Sequence, residues 1–308
     1  MNETTTLLKS SKREAKPKYY FPILEVLLLL VAIFWGTSYG LTKQALIYTS
    51  VMIFIAIRFS VTCFFLLPVA LKDIKAKRSK DWRVGLPTGA ILAAIFFFEV
   101  TGLFQTSASK AAFLISLSVI FTFLVEMSMS KRVISQRMFI LTVSSVVGVF
   151  LLTSSHGFEW ELNRGDYFIL LAALLRAFMV TMTKRLTEGK QVSNATLTCI
   201  QSFVVAVSAI SLVVFDVGFN VHFPINIEFW FIMVYLVLCC TLFAFFVQNY
   251  AVRKLSPTKV SLLMGSEPMF GALFAVIWLN ESLSIIQVIG GCVIFVSVMM
   301  ASVYKRTY

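Results

Sequence analysis

Histidine is scarce in this chain of 308 residues: there are two, against 30 phenylalanines. Both, His156 and His222, fall in connections between apolar runs, so no imidazole stands at membrane depth as a base or metal ligand. This matters for Gly36-Thr37-Ser38-Tyr39-Gly40, which satisfies the G-x-S-x-G pattern of hydrolase elbows but has neither the strand-turn-helix setting nor the histidine partner that chemistry needs. Cysteine is also sparse. Cys63, Cys199, Cys239, Cys240 and Cys292 all lie inside apolar runs, so neither a disulfide framework nor a zinc spacing is present, and no cofactor or metal is expected. The period-two alternation of a membrane barrel is missing as well. Acids are outnumbered, 15 Asp and Glu against 27 Lys and Arg.

What the chain has in excess is hydrophobic length. Hydrophobic residues make up 58% of it, outside the usage of soluble domains, and they form runs of about 20 residues, the length that crosses a hydrocarbon core of about 30 Å. The runs predict spans at 23-43, 51-71, 84-104, 111-130, 137-154, 166-185, 194-216, 229-250, 260-279 and 283-303. The basic residues sort by side. Lys9 to Lys18, Lys72 to Arg83, Lys131 to Arg137, Lys184 to Lys190, Arg253 to Lys259, and Lys305 with Arg306 share one side, and only Lys43, Lys110 and Arg164 lie near the other. The positive-inside rule places the shared side, with both termini, in the cytoplasm. The net charge of +12 thus encodes orientation rather than a nucleic-acid partner. The run from Ile23 is too long for a signal peptide and lacks a small-x-small cleavage site.

The chain also repeats itself. Thr106 onward reads TSASKAAFLISLSVIFTFLVEMSMSKRVIS, an echo of LSPTKVSLLMGSEPMFGALFAVIWLNESLS from Leu255, 149 residues later. Each copy has a polar entry, a lysine (Lys110, Lys259) and then an apolar helix. Trp35 and Arg176, like Lys43 and Lys184, are 141 apart; Glu99 matches Gln248, Ser118 matches Glu267, and Arg58 stands against Gln201. Five helices per copy is an odd number, so the second copy enters from the opposite face. The expected fold class is therefore an all-α integral membrane protein of ten transmembrane helices in two inverted five-helix repeats. The divisions are a cytoplasmic tail at 1-22, repeats at 23-154 and 166-303, an exterior link at 155-165 and a short tail at 304-308. Such repeats place a solute site near the midplane between the halves.

Charge inside a span costs about 2.5 to 3.5 kcal/mol on the insertion scale and marks a partner, a cavity or a pathway. Arg58 and Glu99 read as a structural ion pair or as solute contacts. Arg176 suits bidentate contact with a carboxylate, its alternative being a pair with Glu267. Glu267, beside the helix-breaking Pro268, reads either as a hydrogen-bonded structural carboxylate or as a solute or proton site. Glu126 is expected to reach toward the cytoplasmic interface. Trp35 and Tyr39, one turn apart, face a cavity or pack, and Gln201, Gln248 and Asn249 are expected to face the bundle interior. Gly36 and Gly40, four apart, allow a neighbouring backbone to approach.

FWGTSYGLTK, IRF, GLFQTSASKAAFLISLSVIFT, LNRGDYFILLAAL and the long string QNYAVRKLSPTKVSLLMGSEPMFGALFAVIWLNESLSIIQVIGG, in this order and spacing, resemble the EamA-type transporters of the drug/metabolite transporter superfamily, over about Ile23 to Tyr304. The resemblance implies a multi-pass carrier of the bacterial inner (cytoplasmic) membrane that moves small metabolites, such as amino acids, by alternating access, often outward. Its cavity would take in Trp35, Tyr39, Glu99, Ser116, Arg176, Gln248 and Glu267. Where similar proteins often carry a tryptophan in the sixth span, this chain has Arg176, which favours an anionic or zwitterionic metabolite. Arg58 joins the expected substrate-binding set on its own chemistry, with a proton as candidate coupling ion and a monomer or homodimer in the bilayer. An intramembrane lipid-modifying enzyme and a non-transporting sensor subunit are the rival readings.

Overall fold

The computed structural model describes residues 23–129, 135–154, 161–217, 223–279 and 282–303. The two histidines and the expected cytoplasmic tails lie outside the described residues. Every regular element among the described residues is helical: α1 Ile23–Ala45, α2 Val51–Lys75, α3 Gly85–Gln105, α4 Ala108–Ser116, α5 Ser118–Met129, α6 Gln136–Thr153, α7 Arg164–Thr187, α8 Asn194–Val217, α9 Ile227–Tyr235, α10 Ala244–Lys254, α11 Pro257–Met264, α12 Glu267–Leu279 and α13 Ile285–Val303, plus a short 3-10 turn at Trp82–Val84. Large apolar side chains such as Phe64, Phe65, Phe215 and Phe231 are exposed on the outside of the bundle. That is the surface expected where lipid, not water, is the solvent.

Nine helical stretches among the described residues are long and apolar enough to cross a membrane. The stretch expected as a ninth span, 260-279, is not among them as one helix, because it divides into α11 and α12 at Gly265 and Ser266. The cause is local. Pro268 has no N–H to continue the ladder, and Ser266 Oγ donates to the Leu263 carbonyl at 2.7 Å. The fourth stretch divides in the same register, 149 residues earlier, at Leu117 between α4 and α5. There is no glycine or proline there; Ser116 Oγ donates to the Phe113 carbonyl at 2.6 Å, a side-chain bond that competes with the helix's own. The expected span 229-250 is also more than one helix. Leu236–Phe243 between α9 and α10 is π-helical, and its wider ring turns backbone carbonyls away from their usual partners.

The principal packings are α2 on α8, α3 on α7 and α6 on α13. α1 lies against α12 so closely that their backbones touch: a Cβ on Gly36 would meet the Glu267 carbonyl oxygen and, at 2.7 Å, the Gly271 nitrogen. Gly40 plays no such part, since a Cβ there would meet nothing within 4 Å. The expected paired-glycine contact is therefore Gly36 with Gly271. A buried amide ladder ties α3, α8 and α10, with Asn249 Nδ2 donating to Gln201 Oε1 at 2.8 Å and Gln201 Nε2 donating to Thr88 Oγ1 at 3.0 Å.

Lysines fasten the two ends of the bundle. Lys110 at the start of α4 bonds Asp166 in the first turn of α7, Nζ to Oδ2 2.7 Å, while Lys259 at the start of α11 bonds Glu25 in the first turn of α1 at 2.8 Å. Lys43 donates to the Thr106 carbonyl at 2.7 Å and Lys184 to the Leu255 carbonyl at 3.2 Å. Each second contact is the first with its partners displaced by 141 and 149 residues, the spacings of the sequence echo. Glu126 does not reach for the interface as expected. It is buried, and its Oε2 accepts from the Thr258 amide at 2.8 Å and from Thr258 Oγ1 at 2.6 Å, closing the first turn of α11.

Candidate functional site

Helical spacing delivers side chains from seven segments to one cavity between α1, α2, α3, α5, α7, α10 and the α11–α12 break. On α1, Trp35 and Tyr39 lie one turn apart and share a face; on α3, Phe96 and Glu99 do the same, as do Phe245 and Gln248 on α10. Arg58 comes from α2, Arg176 from the middle of α7 and Glu267 from the first position of α12. The space open to the centre of a water-sized sphere is about 50 Å³, against roughly 10 to 15 Å³ for one water. This is room for a few waters or a small solute, not for a bulky drug.

Seven of the eight expected residues line this cavity: Trp35, Tyr39, Arg58, Glu99, Arg176, Gln248 and Glu267. Ser116 does not. It is 1% exposed with its hydroxyl on the Phe113 carbonyl. Its neighbour Ser118, at the first position of α5, takes the place on the cavity wall, because the break at Leu117 resets which face looks inward.

The charges divide into one bonded pair and two ions held apart. Arg176 Nη1 stands 3.1 Å from Glu267 Oε1, and the Tyr39 hydroxyl donates to the same oxygen at 3.2 Å. The Arg176 guanidinium also lies over the Trp35 ring, 4.6 Å from its centroid, an arrangement that spreads the cation over a π face. Trp35 is fixed in turn by Nε1 donating to the Cys240 carbonyl at 2.9 Å, one of the carbonyls of the π-helical stretch. Arg58 and Glu99 do not form the ion pair that was one of their two readings. Arg58 Nε donates instead to Thr241 Oγ1 at 2.6 Å, and its guanidinium carbon lies 5.2 Å from the Phe96 centroid. Glu99 is half-buried on the wall with no hydrogen bond or ion pair among the described residues. Two further acceptors, Glu267 Oε2 and Gln248 Oε1, are buried and lack a donor among the described residues.

Such a site is a small polar chamber walled by helices that are apolar outside, and among the described residues there is no cluster of metal-ligating side chains. The sequence model of the EamA-like transporter family matches residues 23–154 and again residues 163–303. The chain belongs to the EamA-like transporter family. An uncharacterized transporter of Archaeoglobus fulgidus is 26% identical over 283 residues, covering 89% of this chain and 84% of its own. The uncharacterized transporter YcxC of Bacillus subtilis is 26% identical over 301 residues, 95% of each chain. A solved structure described as a crystal structure of protein shares the fold at a TM-score of 0.75, with 14% identity over 91% of this chain and 96% of that one. The protein is a multi-pass membrane transporter and not an enzyme.

Several parts of the transporter's site carried little sequence signal. Cys240 and Thr241 hold Trp35 and Arg58, yet in the sequence they are two residues in the middle of the expected span 229-250. Phe96, the ring under Arg58, is one of three consecutive phenylalanines. Ser261, which lines the cavity and pairs with Thr122 Oγ1 at 3.0 Å, lies one turn before the visible break.

Proposed function

We propose that this transporter moves a small zwitterionic or anionic metabolite, an amino acid or a close relative, across the cytoplasmic membrane by alternating access, in the outward direction that the family resemblance favours. One observation carries the reading: a cavity of metabolite size holds two guanidiniums and two carboxylates, with acceptors on its wall that lack donors. A formally neutral site of opposed charges complements a solute that itself carries both signs, since each unpaired buried charge or acceptor gains from a ligand group of the other kind. An apolar or purely cationic drug would leave the Arg58 guanidinium, which has no carboxylate partner among the described residues, uncompensated.

The proposed topology is ten crossings in two inverted halves with both termini in the cytoplasm. It is supported by the one-sided basic loops, by helix breaks at Leu117 and Ser266 in matching register, and by lysine contacts that recur with the same spacings at the two ends of the bundle. Discontinuous helices beside a midplane site are the architecture of secondary transporters. Glu99 and Glu267 are the candidate carriers of a coupling proton, and the working unit is a monomer or homodimer. The reading is tested by counterflow in proteoliposomes preloaded in turn with each common L-amino acid. Saturable uptake driven by at least one of them is expected; stimulation by lipophilic amines alone would overturn it.

A further inference from the structure

Resting on the reading of a zwitterionic solute, we infer that Arg58 and Glu99 are the two poles that hold it, Arg58 its carboxylate and Glu99 its ammonium, while Arg176 and Glu267 form a fixed wall of the site. The sequence alone points to Arg176 as the carboxylate receptor. The geometry moves that role to α2.

Arg176 is already committed. Its counter-ion Glu267 is 3.1 Å away, Tyr39 bonds the same carboxylate oxygen, and Trp35 lies beneath its guanidinium. Withdrawing it to meet a solute would strand Glu267, which is 1% exposed, as an uncompensated buried anion. Arg58 is in the opposite condition. It is 5% exposed and lines the cavity, but its one hydrogen bond among the described residues runs from Nε to Thr241 Oγ1. Thr241 Oγ1 in turn donates to the Leu236 carbonyl at 2.8 Å, so its lone pairs are turned toward Arg58. With Nε tethered and the guanidinium carbon over the Phe96 ring, the two terminal nitrogens have no acceptor among the described residues. A guanidinium so oriented presents the parallel N–H pair that a carboxylate accepts in bidentate fashion.

Glu99 is the complementary vacancy. It stands three residues after Phe96, hence on the same face of α3 as the ring that supports Arg58, and it shares the cavity wall with both Arg58 and Arg176. Opposite charges on one cavity wall would ordinarily gain by closing into a salt bridge. Here Thr241 and Phe96 hold the cation off, leaving a gap whose two sides call for a carboxylate and an ammonium. Gln248 Oε1, buried and without a donor on the same cavity, is a second acceptor for an ammonium, which has three N–H groups to place.

The test uses the purified full chain in nanodiscs and reads binding by displacement. All common L-amino acids are assayed first, and the tightest is then compared with the amine that lacks its carboxylate and the acid that lacks its ammonium. Loss of a charge-assisted bond is worth roughly tenfold to a hundredfold in affinity. Glu99→Gln should lose that factor for the amino acid and the amine and leave the deaminated acid unchanged. Arg58→Gln should lose it for the amino acid and the acid and leave the amine unchanged. Arg58→Lys and Glu99→Asp should shift in the same sense by less, which keeps the test alive if a neutral variant does not fold. Arg176→Gln and Glu267→Gln should weaken the three probes alike. If the group-selective losses follow Arg176 and Glu267 instead, or follow neither pair, this assignment is wrong while amino-acid transport stands. If wild type binds no amino acid, the reading of the substrate class falls, and this inference with it.

Discussion

Lys110 and Asp166 are joined by a 2.7 Å ion pair in which the carboxylate is fully buried and the ammonium nearly so. Asp166 also accepts from Thr106 Oγ1 at 2.6 Å and from the Asn163 amide at 2.8 Å, and Lys110 gives a further bond to the Glu161 carbonyl at 2.7 Å. The pair thus ties the start of α4 to the start of α7. Removing one partner leaves the other charged and buried, at about 3 to 5 kcal/mol. Asp166→Asn is expected to lower the melting temperature in detergent clearly, and Lys110→Met with Asp166→Leu together to recover part of the loss. Additive single-site losses in a double-mutant cycle would show that the two residues act independently.

In the counterpart Lys259–Glu25 the lysine is as buried as Lys110, but the carboxylate is 14% exposed against 0% for Asp166. Lys259→Met is accordingly expected to cost less than Lys110→Met in the same assay, because water can reach the ion left behind. An equal or greater loss would count against burial as the cause of the difference.

Gly36 and Gly271 bring α1 and α12 into backbone contact, and the same approach sets Glu267 against Tyr39. Gly36→Ala forces a Cβ onto the Glu267 carbonyl and the Gly271 nitrogen, neither of which is the tip of a flexible side chain. Overpacking of this kind costs about 1 to 3 kcal/mol. Gly40→Ala, with open space around it, should leave melting unchanged. Thermal shifts of the two variants side by side check the contrast, and equal effects would contradict it.

Glu126 accepts two bonds at the first turn of α11, one of them from a backbone amide that a helix start leaves unsatisfied. Glu126→Ala is expected to destabilise by roughly 1 to 3 kcal/mol, the cost of stranding buried donors, and Glu126→Gln by less because one acceptor remains. Unfolding in graded denaturant would rank the two.

Tyr48, in the link between α1 and α2, donates to Glu228 Oε2 at 2.5 Å. That hydrogen bond, the largest cause, together with burial and the negative field of Glu228, holds the phenol above its ordinary value. A group whose folded value is raised contributes stability below its unfolded value near pH 10, and the contribution fades as pH climbs through the folded value. Tyr48→Phe should therefore lose stability at neutral pH and converge with wild type at high alkaline pH. A constant difference across the alkaline range would show that the phenol proton has no part in it.

Length and hydropathy by themselves determined where the apolar stretches lie and that they are helical, because a backbone in hydrocarbon must satisfy its own hydrogen bonds whatever its neighbours do. The same holds for the echo at 141 and 149 residues, which is written in lysines and acids that later meet, and for the meeting of seven of the eight expected residues on one cavity wall, since a polar side chain inside a span has few places to go. Only the tertiary structure decided who bonds whom. The break at Leu117, which hands the cavity wall from Ser116 to Ser118, has no glycine or proline to announce it. The π-helical turn that aims the Cys240 carbonyl at Trp35 and Thr241 at Arg58 is a change of hydrogen-bond register in an apolar run, with no composition of its own. Arg58 with Glu99 and Arg176 with Glu267 were equally plausible pairs by residue type; one is a salt bridge and the other a gap, because a side chain's choice of partner depends on ångström distances that only the packing of α2, α3, α7 and α12 sets.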